Sequence, residues 1–213
     1  MEMHWPTPPD NAVTLFNGSN LDNWTTRDHQ PAGWKVEDNI LHVEPGTGDI
    51  MSTERFTDFF LHLEFRCPYM PEAKGQARGN SGVFLQGRYE IQVLDSYGIH
   101  IPGMGDCGAI YNQFAPLLNA CNPPMEWQTY DVIFRAPRLQ GDQVEENARL
   151  TAMHNGVVIH NNVQLPGVTG GPIDEQVGEP GPLLLQDHGD LVAYRNTWTV
   201  PLPLKGSDTY EPH

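Results

Sequence analysis

Three polar side chains in the segment RYEIQVLDSYG, residues 88–98, are of types that can do chemistry. Glu90 and Gln92 alternate with apolar residues, so in a β-strand they project from one face, opposite the core. Asp95 falls out of phase with this pair, and a β-bulge near Val93 or Leu94 would bring its side chain to the same face. A carboxyl group can transfer a proton and an amide can hold a hydroxyl group. The segment predicts a functional polar face, with a plain solvent-exposed strand face as the alternative.

Other segments carry polar groups of the same kind. They are Glu64 and Arg66 in DFFLHLEFRC, Asn80 and Ser81 in RGNSG, Gln186, Asp187 and His188 in LQDHG, and Arg195 in VAYRNTWTV. Acid, amide, imidazole and guanidinium groups bind sugar hydroxyls and move protons. We expect one concave sheet to collect them, with Glu90 and His188 meeting on it. Tyr97 and Tyr111 are the candidates for stacking on a sugar ring.

The elements that must position these groups are β-strands. Apolar residues with helical spacing are nearly absent, and short alternating runs recur between clusters of Gly, Pro, Asn and Asp. The predicted strands lie in GWKVEDNILHVEP, DFFLHLEFRC, SGVFLQG, YEIQVLD, CGAIYNQF, WQTYDVIFRAP, ARLTAMHNGVVIHNN, GPLLLQDHG and VAYRNTWTV. Asn155-Gly156 and Asp38-Asn39 have the residue types of hairpin turns.

These strands predict one all-β domain spanning residues 1–213. We expect a two-sheet antiparallel β-sandwich with its core at about 14–200 and short irregular termini. Two long irregular segments, CPYMPEAKGQARGN (residues 67–80) and VTGGPIDEQVGEPG (residues 168–181), are expected at the edge of the sandwich. Long loops of this kind often border a binding groove.

Composition excludes two classes of partner. The chain has 12 Lys and Arg residues against 27 Asp and Glu residues, and a formal charge of -15 would repel a nucleic-acid backbone. No apolar run approaches the roughly 20 residues of a membrane span. The first residues lack the features of a signal peptide. We expect a periplasmic or extracellular location if an export signal has been removed, and an internal one otherwise.

The three cysteines suggest one covalent link. Cys107 and Cys121 flank a loop rich in Pro and Asn, and a disulfide between them could contribute about 3 kcal/mol in an oxidising compartment. Cys67 would then remain unpaired. No CxxC pair is present, which argues against a cysteine zinc site.

The spacing of Glu90, Gln92 and Asp95 resembles the bulged E-x-D-x-x-E strand of laminarinase-type glycoside hydrolases. Retaining enzymes of this kind need two carboxylates about 5–5.5 Å apart. Here the middle residue is the amide Gln92. An ordinary retaining mechanism is therefore not expected, although Glu90 and Asp95 remain candidates for acid or base.

A second resemblance covers residues 14–200. TLFNGSNLDNW, GWKVEDNILHV, DFFLHLEFR, GNSGVFLQGRYEIQVLDSYG, CGAIYNQFAPLLNA, EWQTYDVIF, LTAMHNGVVIHNN and GPLLLQDHGDLVAYRNTW occur in the order typical of the 3-keto-disaccharide hydrolase-like domain family. The resemblance implies a concanavalin A-like jelly roll that cleaves 3-keto-glycosides as a hydrolase or lyase. The ketone acidifies the C2 proton, a base removes it, elimination expels the C1 substituent, and water adds to the enone. No nucleophilic carboxylate is needed, which agrees with Gln92.

This chemistry assigns expected roles. His188 is the candidate base or its hydrogen-bonded partner, and a loop histidine that holds the strand end is the alternative. Glu90 is the next candidate for acid or base. Gln92 and Gln186 would hold hydroxyl groups. Arg66 or Arg195 would stabilise enolate charge. The alternative for Arg195 is a structural role as the partner of Asp187. Glu64 would either orient Arg66 or contact the sugar.

A divalent metal ion is another way to stabilise an enolate. Glu64, Glu90, Asp95 and His188 are weak candidate ligands, because the sequence has no H-x-H or H-E-x-x-H spacing. No cofactor is firmly predicted. The predicted partner is a small carbohydrate. A non-catalytic carbohydrate-binding module and a glycosidase acting on unoxidised sugar remain the alternative functions.

Overall fold

The computed structural model describes residues 7–204, and the regular structure in this range is almost entirely β. The single helical turn is the 3-10 helix η1 (Gly75–Ala77). The strands are β1 (Val13–Phe16), β2 (Trp24–Thr26), β3 (Lys35–Glu37), β4 (Ile40–His42), β5 (Ile50–Phe56), β6 (Phe59–Arg66), β7 (Ser81–Leu85), β8 (Tyr89–Val93), β9 (Gln128–Arg135), β10 (Arg138–Gln140), β11 (Gln143–Glu146), β12 (Arg149–His154), β13 (Val157–Gln164), β14 (Gly181–Leu185) and β15 (Ala193–Pro201). Within residues 7–204 there is no apolar helix of the length that a membrane span needs.

Two antiparallel sheets form the body of the protein. The eight-stranded sheet has the order β13-β12-β9-β6-β15-β4-β3, and β1 pairs with the far end of β15. The five-stranded sheet has the order β2-β5-β14-β7-β8, while β10 and β11 form a small separate ribbon. Many neighbouring strands are distant in sequence, such as β6 and β15 or β5 and β14, as in a jelly roll. The predicted all-β antiparallel sandwich is therefore confirmed.

Period-two alternation decides which side chains form the core. In β6, Leu61, Leu63 and Phe65 are fully buried and belong to the main hydrophobic cluster. In β8, Tyr89, Ile91 and Val93 belong to the same cluster. The intervening polar residues of both strands consequently point away from the interior between the sheets.

Both predicted hairpin turns are present. Asn155 and Gly156 have φ values of 52° and 77° and connect β12 to β13. Asp38 and Asn39 have φ values of 51° and 62° and connect β3 to β4. Positive φ at both central residues is the requirement of a type I′ turn, which matches the twist of the flanking strands.

The prediction of a strand in CGAIYNQF, residues 107–114, is wrong. Gly108 and Asn112 have positive φ values, and the segment folds into successive turns with isolated bridges from Ile110 to Ile91 and Phe114. The alternation of apolar residues reflects burial of Ala109 and Ile110 under the loop rather than an extended strand. Five strands were not predicted, namely β1, β2, β5, β10 and β11.

The expected disulfide is not formed in this structure. Cys67, Cys107 and Cys121 are free thiols. Cys107 and Cys121 are nevertheless neighbours. Their side chains form a hydrogen bond that shifts the pKa of both thiols.

Candidate active site

A cavity of about 230 Å³ opens on the outer face of the five-stranded sheet. It is lined by Gln76, Asn80, Glu90, Gln92, Tyr111, Gly170, Gly171, Gln186 and His188. Glu90 and Gln92 come from β8, and Gln186 follows the end of β14. The lining is mostly polar side chains that carry hydrogen-bond donors or acceptors, as expected for a site that binds a hydroxylated ligand.

The cavity forms where two loops cover the edge of β8. The Glu90 N–H donates to Thr169 Oγ1 at 2.9 Å, and the Tyr111 N–H donates to the Glu90 carbonyl at 3.2 Å. The Gln92 N–H donates to the Ala109 carbonyl at 2.9 Å. These bonds satisfy the backbone groups that an edge strand would leave open. They also place the loop containing Gly170 and the side chain of Tyr111 beside the carboxyl group of Glu90.

The Glu90 carboxyl group lies at the cavity with 4% of the residue exposed. Gly82, on the neighbouring strand, leaves the room that this carboxyl needs, because a Cβ atom at Gly82 would lie 2.4 Å from Glu90 Oε1. Burial raises the pKa of Glu90 from its ordinary value of 4.5 to about 8, and the nearby charge of Asp49 adds to the rise. Glu90 is therefore mostly protonated at neutral pH and can donate a proton or a hydrogen bond.

We expect this buried acid to make stability depend on pH. Between pH 4.5 and about 8 the folded protein keeps the Glu90 proton while the unfolded chain releases it. Stability contributed by the proton is thus fully present below pH 4.5 and is lost as pH rises through about 8, by at most about 5 kcal/mol. Urea unfolding of the wild type and of Glu90→Gln at pH 5 and pH 9 measures this loss of stability. The effects of other titrating groups cancel in the difference between the two proteins. An equal difference at both pH values would contradict the raised pKa.

Two amide oxygens at the cavity can accept hydrogen bonds from a ligand. Gln92 Nε2 donates to Asn80 Oδ1 at 3.1 Å and to Gln76 Oε1 at 3.2 Å, which fixes the orientation of its amide. Gln92 Oε1 and Gln186 Oε1 are buried and have no hydrogen-bond partner among the described residues. An unsatisfied buried acceptor costs about 1–3 kcal/mol. Ligand hydroxyl groups that donate to these oxygens would remove this cost.

An ion pair beside the cavity holds two of the segments that line it. The Arg27 guanidinium contacts Asp49 at 2.8 Å and donates to the carbonyl oxygens of Gly171 (2.9 Å) and Pro172 (3.3 Å). Asp49 Oδ1 also accepts the backbone N–H of Asp187 at 2.9 Å. One carboxylate therefore holds the loop of Gly171 and the segment leading to His188 in place.

His188 lies at the rim of the cavity and is exposed to solvent. The side chain of Asp187 turns away from the rim and accepts the N–H groups of Gly46 (2.7 Å), Gly48 (3.0 Å) and Gly189 (2.9 Å). Asp187 thus shapes the loop, and the adjacent imidazole is the group presented to a ligand. The structure brings Glu90 and His188 to one cavity, although they are far apart in sequence.

Three predicted site residues lie on the other sheet. Glu64 points outward from β6 and contacts Arg195 Nε at 2.7 Å and Asn196 Nδ2 at 2.9 Å. Arg66 and Arg195 both lie over the ring of Trp127, at 4.8 and 3.8 Å. The expectation that one sheet face collects all the polar groups is therefore corrected, because these residues occupy the outer face of the opposite sheet. Arg195 pairs with Glu64, while the side chain of Asp187 accepts nearby backbone N–H groups.

Three further predicted residues lie near β7 and β8 without lining the cavity. Ser81 Oγ donates to the Gln186 carbonyl at 2.6 Å and lies 2.7 Å from Tyr194 Oη. Asp95 forms a buried ion pair with Arg78 at 2.8 Å. It follows the end of β8, whose pairing with β7 shows no register shift, so the expected bulge is absent from this pairing. Tyr97, whose N–H donates to Asp95 Oδ1 at 3.2 Å, is half-exposed outside the cavity.

The four weak metal-ligand candidates do not converge. Glu64 lies on the opposite sheet and Asp95 is engaged by Arg78, which leaves Glu90 and His188 at the cavity. Residues missed by sequence reasoning are Gln76, Gly170 and Gly171. All three lie in the two irregular segments that were expected to border a groove, and that expectation was the only available signal.

Comparison with known proteins agrees with this fold. The 3-keto-alpha-glucoside-1,2-lyase-like domain family matches residues 11–199. The chain belongs to this family, a group of carbohydrate-active β-sandwich proteins. A comparison with curated protein sequences found no match.

Solved structures show the same architecture. A protein named a putative glycosyl hydrolase, from Parabacteroides distasonis ATCC 8503, is 35% identical, with a TM-score of 0.84 over 94% of each chain. A second protein of that name from the same organism is 20% identical, with a TM-score of 0.68 over 91% of this chain and 95% of its own. A mutant of the alginate lyase Aly36B in complex with alginate tetrasaccharide is 9% identical, with a TM-score of 0.50 over 92% of this chain and 99% of its own. The last two similarities concern the fold alone.

Proposed function

We propose that the protein cleaves 3-keto-glycosides, including 3-keto-disaccharides, by elimination followed by hydration. The observation that carries the proposal is the buried, protonated carboxyl group of Glu90 at a cavity that also presents the imidazole of His188. Membership of the 3-keto-alpha-glucoside-1,2-lyase-like family supports the substrate class. The cavity volume of about 230 Å³ suits one sugar ring, with the leaving group extending toward solvent.

The reaction divides between an acid and a base. In our proposal, His188 removes the C2 proton, which the C3 ketone has made acidic, and an enolate forms. The C1–O bond then breaks as the enolate collapses to an enone, and Glu90 gives its proton to the departing oxygen. Water adds across the C1=C2 bond to complete a net hydrolysis. Glu90 is suited to the acid role because burial keeps its proton in place at neutral pH.

The sugar hydroxyl groups would be held by amides. Gln92 Oε1 and Gln186 Oε1 would accept hydrogen bonds from the sugar hydroxyl groups, and Tyr111 contributes an aromatic ring at the cavity wall. The mechanism uses no nucleophilic carboxylate, which agrees with an amide at position 92. A double-displacement glycosidase would need a second carboxylate beside Glu90, and the other acid considered, Asp95, is paired with Arg78.

The decisive experiment compares two substrates that differ only at C3. The protein is incubated with a 3-keto-glucoside and with the unoxidised glucoside, and the released aglycone is measured. We expect turnover of the ketone alone, together with exchange of the C2 hydrogen in deuterated water. Binding of both sugars without turnover would identify a carbohydrate-binding module. Turnover of the unoxidised sugar without exchange would identify a direct glycosidase.

Gly82→Ala tests whether the position of the Glu90 carboxyl matters. The new methyl group would lie 2.4 Å from Glu90 Oε1 and 3.1 Å from a ring carbon of Phe84, so the carboxyl must move. We expect kcat on a 3-keto-glucoside to fall by roughly tenfold or more, since general acid catalysis depends on hydrogen-bond reach. Gly167→Ala is the matched control, because a Cβ there meets nothing within 4 Å. Full activity of well-folded Gly82→Ala would show that the carboxyl does not need its present position.

A further inference from the structure

A second group of reactive side chains lies behind β8, on the side opposite the cavity. One ligand atom each from Cys107, Cys121 and His154 lies within 4.8 Å of the other two. Cys107 and His154 are buried, whereas Cys121 is partly exposed. The group combines two sulfurs and one imidazole nitrogen in an apolar setting with an opening to solvent at Cys121.

The neighbouring hydrogen bonds fix the form of the imidazole. Gln128 Oε1 accepts the backbone N–H of Asn122 at 2.9 Å, which identifies this atom as the amide oxygen. His154 Nε2 lies 2.8 Å from the same oxygen and must therefore carry the proton and donate it. This tautomer leaves the ring lone pair on His154 Nδ1. A neutral imidazole that donates from one nitrogen and keeps a lone pair on the other is the form that binds metal ions.

This donor set is selective for one class of ion. Two thiolates and an imidazole suit Zn²⁺ and other thiophilic ions, while Mg²⁺ and Ca²⁺ require oxygen ligands. Bonds of about 2.3 Å to sulfur and 2.0–2.1 Å to nitrogen would require the three atoms to approach by roughly 1 Å at most. The hydrogen bond from His154 to Gln128 is of the kind that orients metal-bound histidines. A water molecule at the exposed side of Cys121 would complete a tetrahedron.

We propose that Cys107, Cys121 and His154 bind a single Zn²⁺ ion. The two thiols each lose a proton when the two Zn–S bonds form, and His154 binds through Nδ1 without a change in protonation. The site is linked to the candidate active site through the backbone of Gln92. Tyr130 Oη donates to the Gln92 carbonyl at 2.7 Å and lies 3.1 Å from Cys107 Sγ, and the Gly108 N–H donates to the same carbonyl at 2.9 Å. Zinc would therefore stiffen the strand that carries Gln92 and Glu90.

Zinc binding is measured on the whole reduced protein, without any sugar. Metal-free protein is titrated with Zn²⁺ against a chromophoric chelator, and Co²⁺ is used as a spectroscopic substitute. We expect one ion per chain, sulfur-to-cobalt charge-transfer absorption, and a higher melting temperature with Zn²⁺. Cys107→Ser, Cys121→Ser and His154→Asn should each weaken binding by at least about tenfold. Cys67→Ser and His160→Asn are the matched controls, because they alter a buried cysteine and a buried histidine outside the group.

A measurement on the wild type covers the case in which a variant does not fold. Zn²⁺ should protect Cys121, the partly exposed thiol, from alkylation detected by mass spectrometry. Absence of binding by the reduced wild type would overturn the proposal, and so would binding unchanged in all three variants. A third result would also overturn the proposal. In that case the isolated protein contains a Cys107–Cys121 disulfide, and the protein still fails to bind Zn²⁺ after this disulfide has been reduced. None of these results depends on the sugar reaction, so the two proposals can fail separately.

Discussion

Glu90→Gln is expected to reduce kcat on a 3-keto-glucoside by roughly 10²- to 10⁴-fold, the usual contribution of a positioned acid. The substitution keeps the size of the side chain and removes the proton that we assign to the departing oxygen. Folding should be retained, because the amide is neutral like the protonated acid that it replaces. Glu54→Gln is the matched control, since Glu54 is exposed on β5 of the same sheet. Wild-type kcat in well-folded Glu90→Gln would contradict the assignment.

The pH profile provides an independent measurement of the same group. The active acid exists below its pKa of about 8, so kcat of the wild type should fall as pH rises through that value. Glu90→Gln should lack this fall. Because keto-sugars also react with base, the rate without enzyme is subtracted at each pH. A wild-type profile that stays flat from pH 6 to pH 10 would be inconsistent with Glu90 as the acid.

Hydrogen exchange separates the acid from the base. If His188 removes the C2 proton, His188→Gln should lose both cleavage and exchange of the C2 hydrogen with deuterated water. Glu90→Gln should lose cleavage but keep exchange, since the enolate still forms and returns to the ketone. Loss of exchange in Glu90→Gln as well would place the Glu90 proton at the enolate oxygen instead.

Alternation in the sequence predicted which side chains of β6 and β8 face the core, because burial of one face imposes period two. The same pattern could not tell the two outer faces of a sandwich apart. Glu64 and Glu90 both read as polar residues between apolar ones, yet they lie on opposite sheets. The difference depends on strand order, which is set by pairing between distant segments and leaves no local mark.

The sequence located the loops of the candidate site as irregular segments, but it did not predict which of their residues line the cavity. Gly170 reaches the cavity because Thr169 bonds to β8 and Arg27 holds the carbonyl of Gly171. These contacts join residues that are far apart in sequence. Strand β5 was missed for a related reason. The exposed segment from Thr53 to Arg55 interrupts the apolar pattern, and pairing with β2 and β14 keeps this strand extended.

Glu64→Ala is expected to lower the free energy of unfolding by about 3 kcal/mol. Glu64 is fully buried between Arg195 at 2.7 Å and Asn196 at 2.9 Å, with His62 Nε2 3.7 Å away. Although burial favours the neutral ring, the hydrogen bond to Asp131 and the nearby carboxylate of Glu64 raise the pKa of His62. Removing the Glu64 carboxylate takes away the negative charge that faces the Arg195 guanidinium on this sheet. Breaking a buried pair from one side costs about 3–5 kcal/mol, and partial exposure of Arg195 places the expected value at the lower end.

The catalytic consequence of Glu64→Ala distinguishes a structural carboxylate from a sugar ligand. Because Glu64 lies on the sheet opposite the cavity, kcat/KM per folded molecule on a 3-keto-glucoside should stay within about twofold of the wild type. Urea unfolding gives the stability, and activity is measured well below the melting temperature. Glu37→Ala, which removes an exposed acid from β3 of the same sheet, should change stability by less than about 0.5 kcal/mol. Loss of activity in a folded Glu64→Ala protein would contradict this prediction. It would show that Glu64 takes part in the reaction and that the outer faces of both sheets are needed for activity.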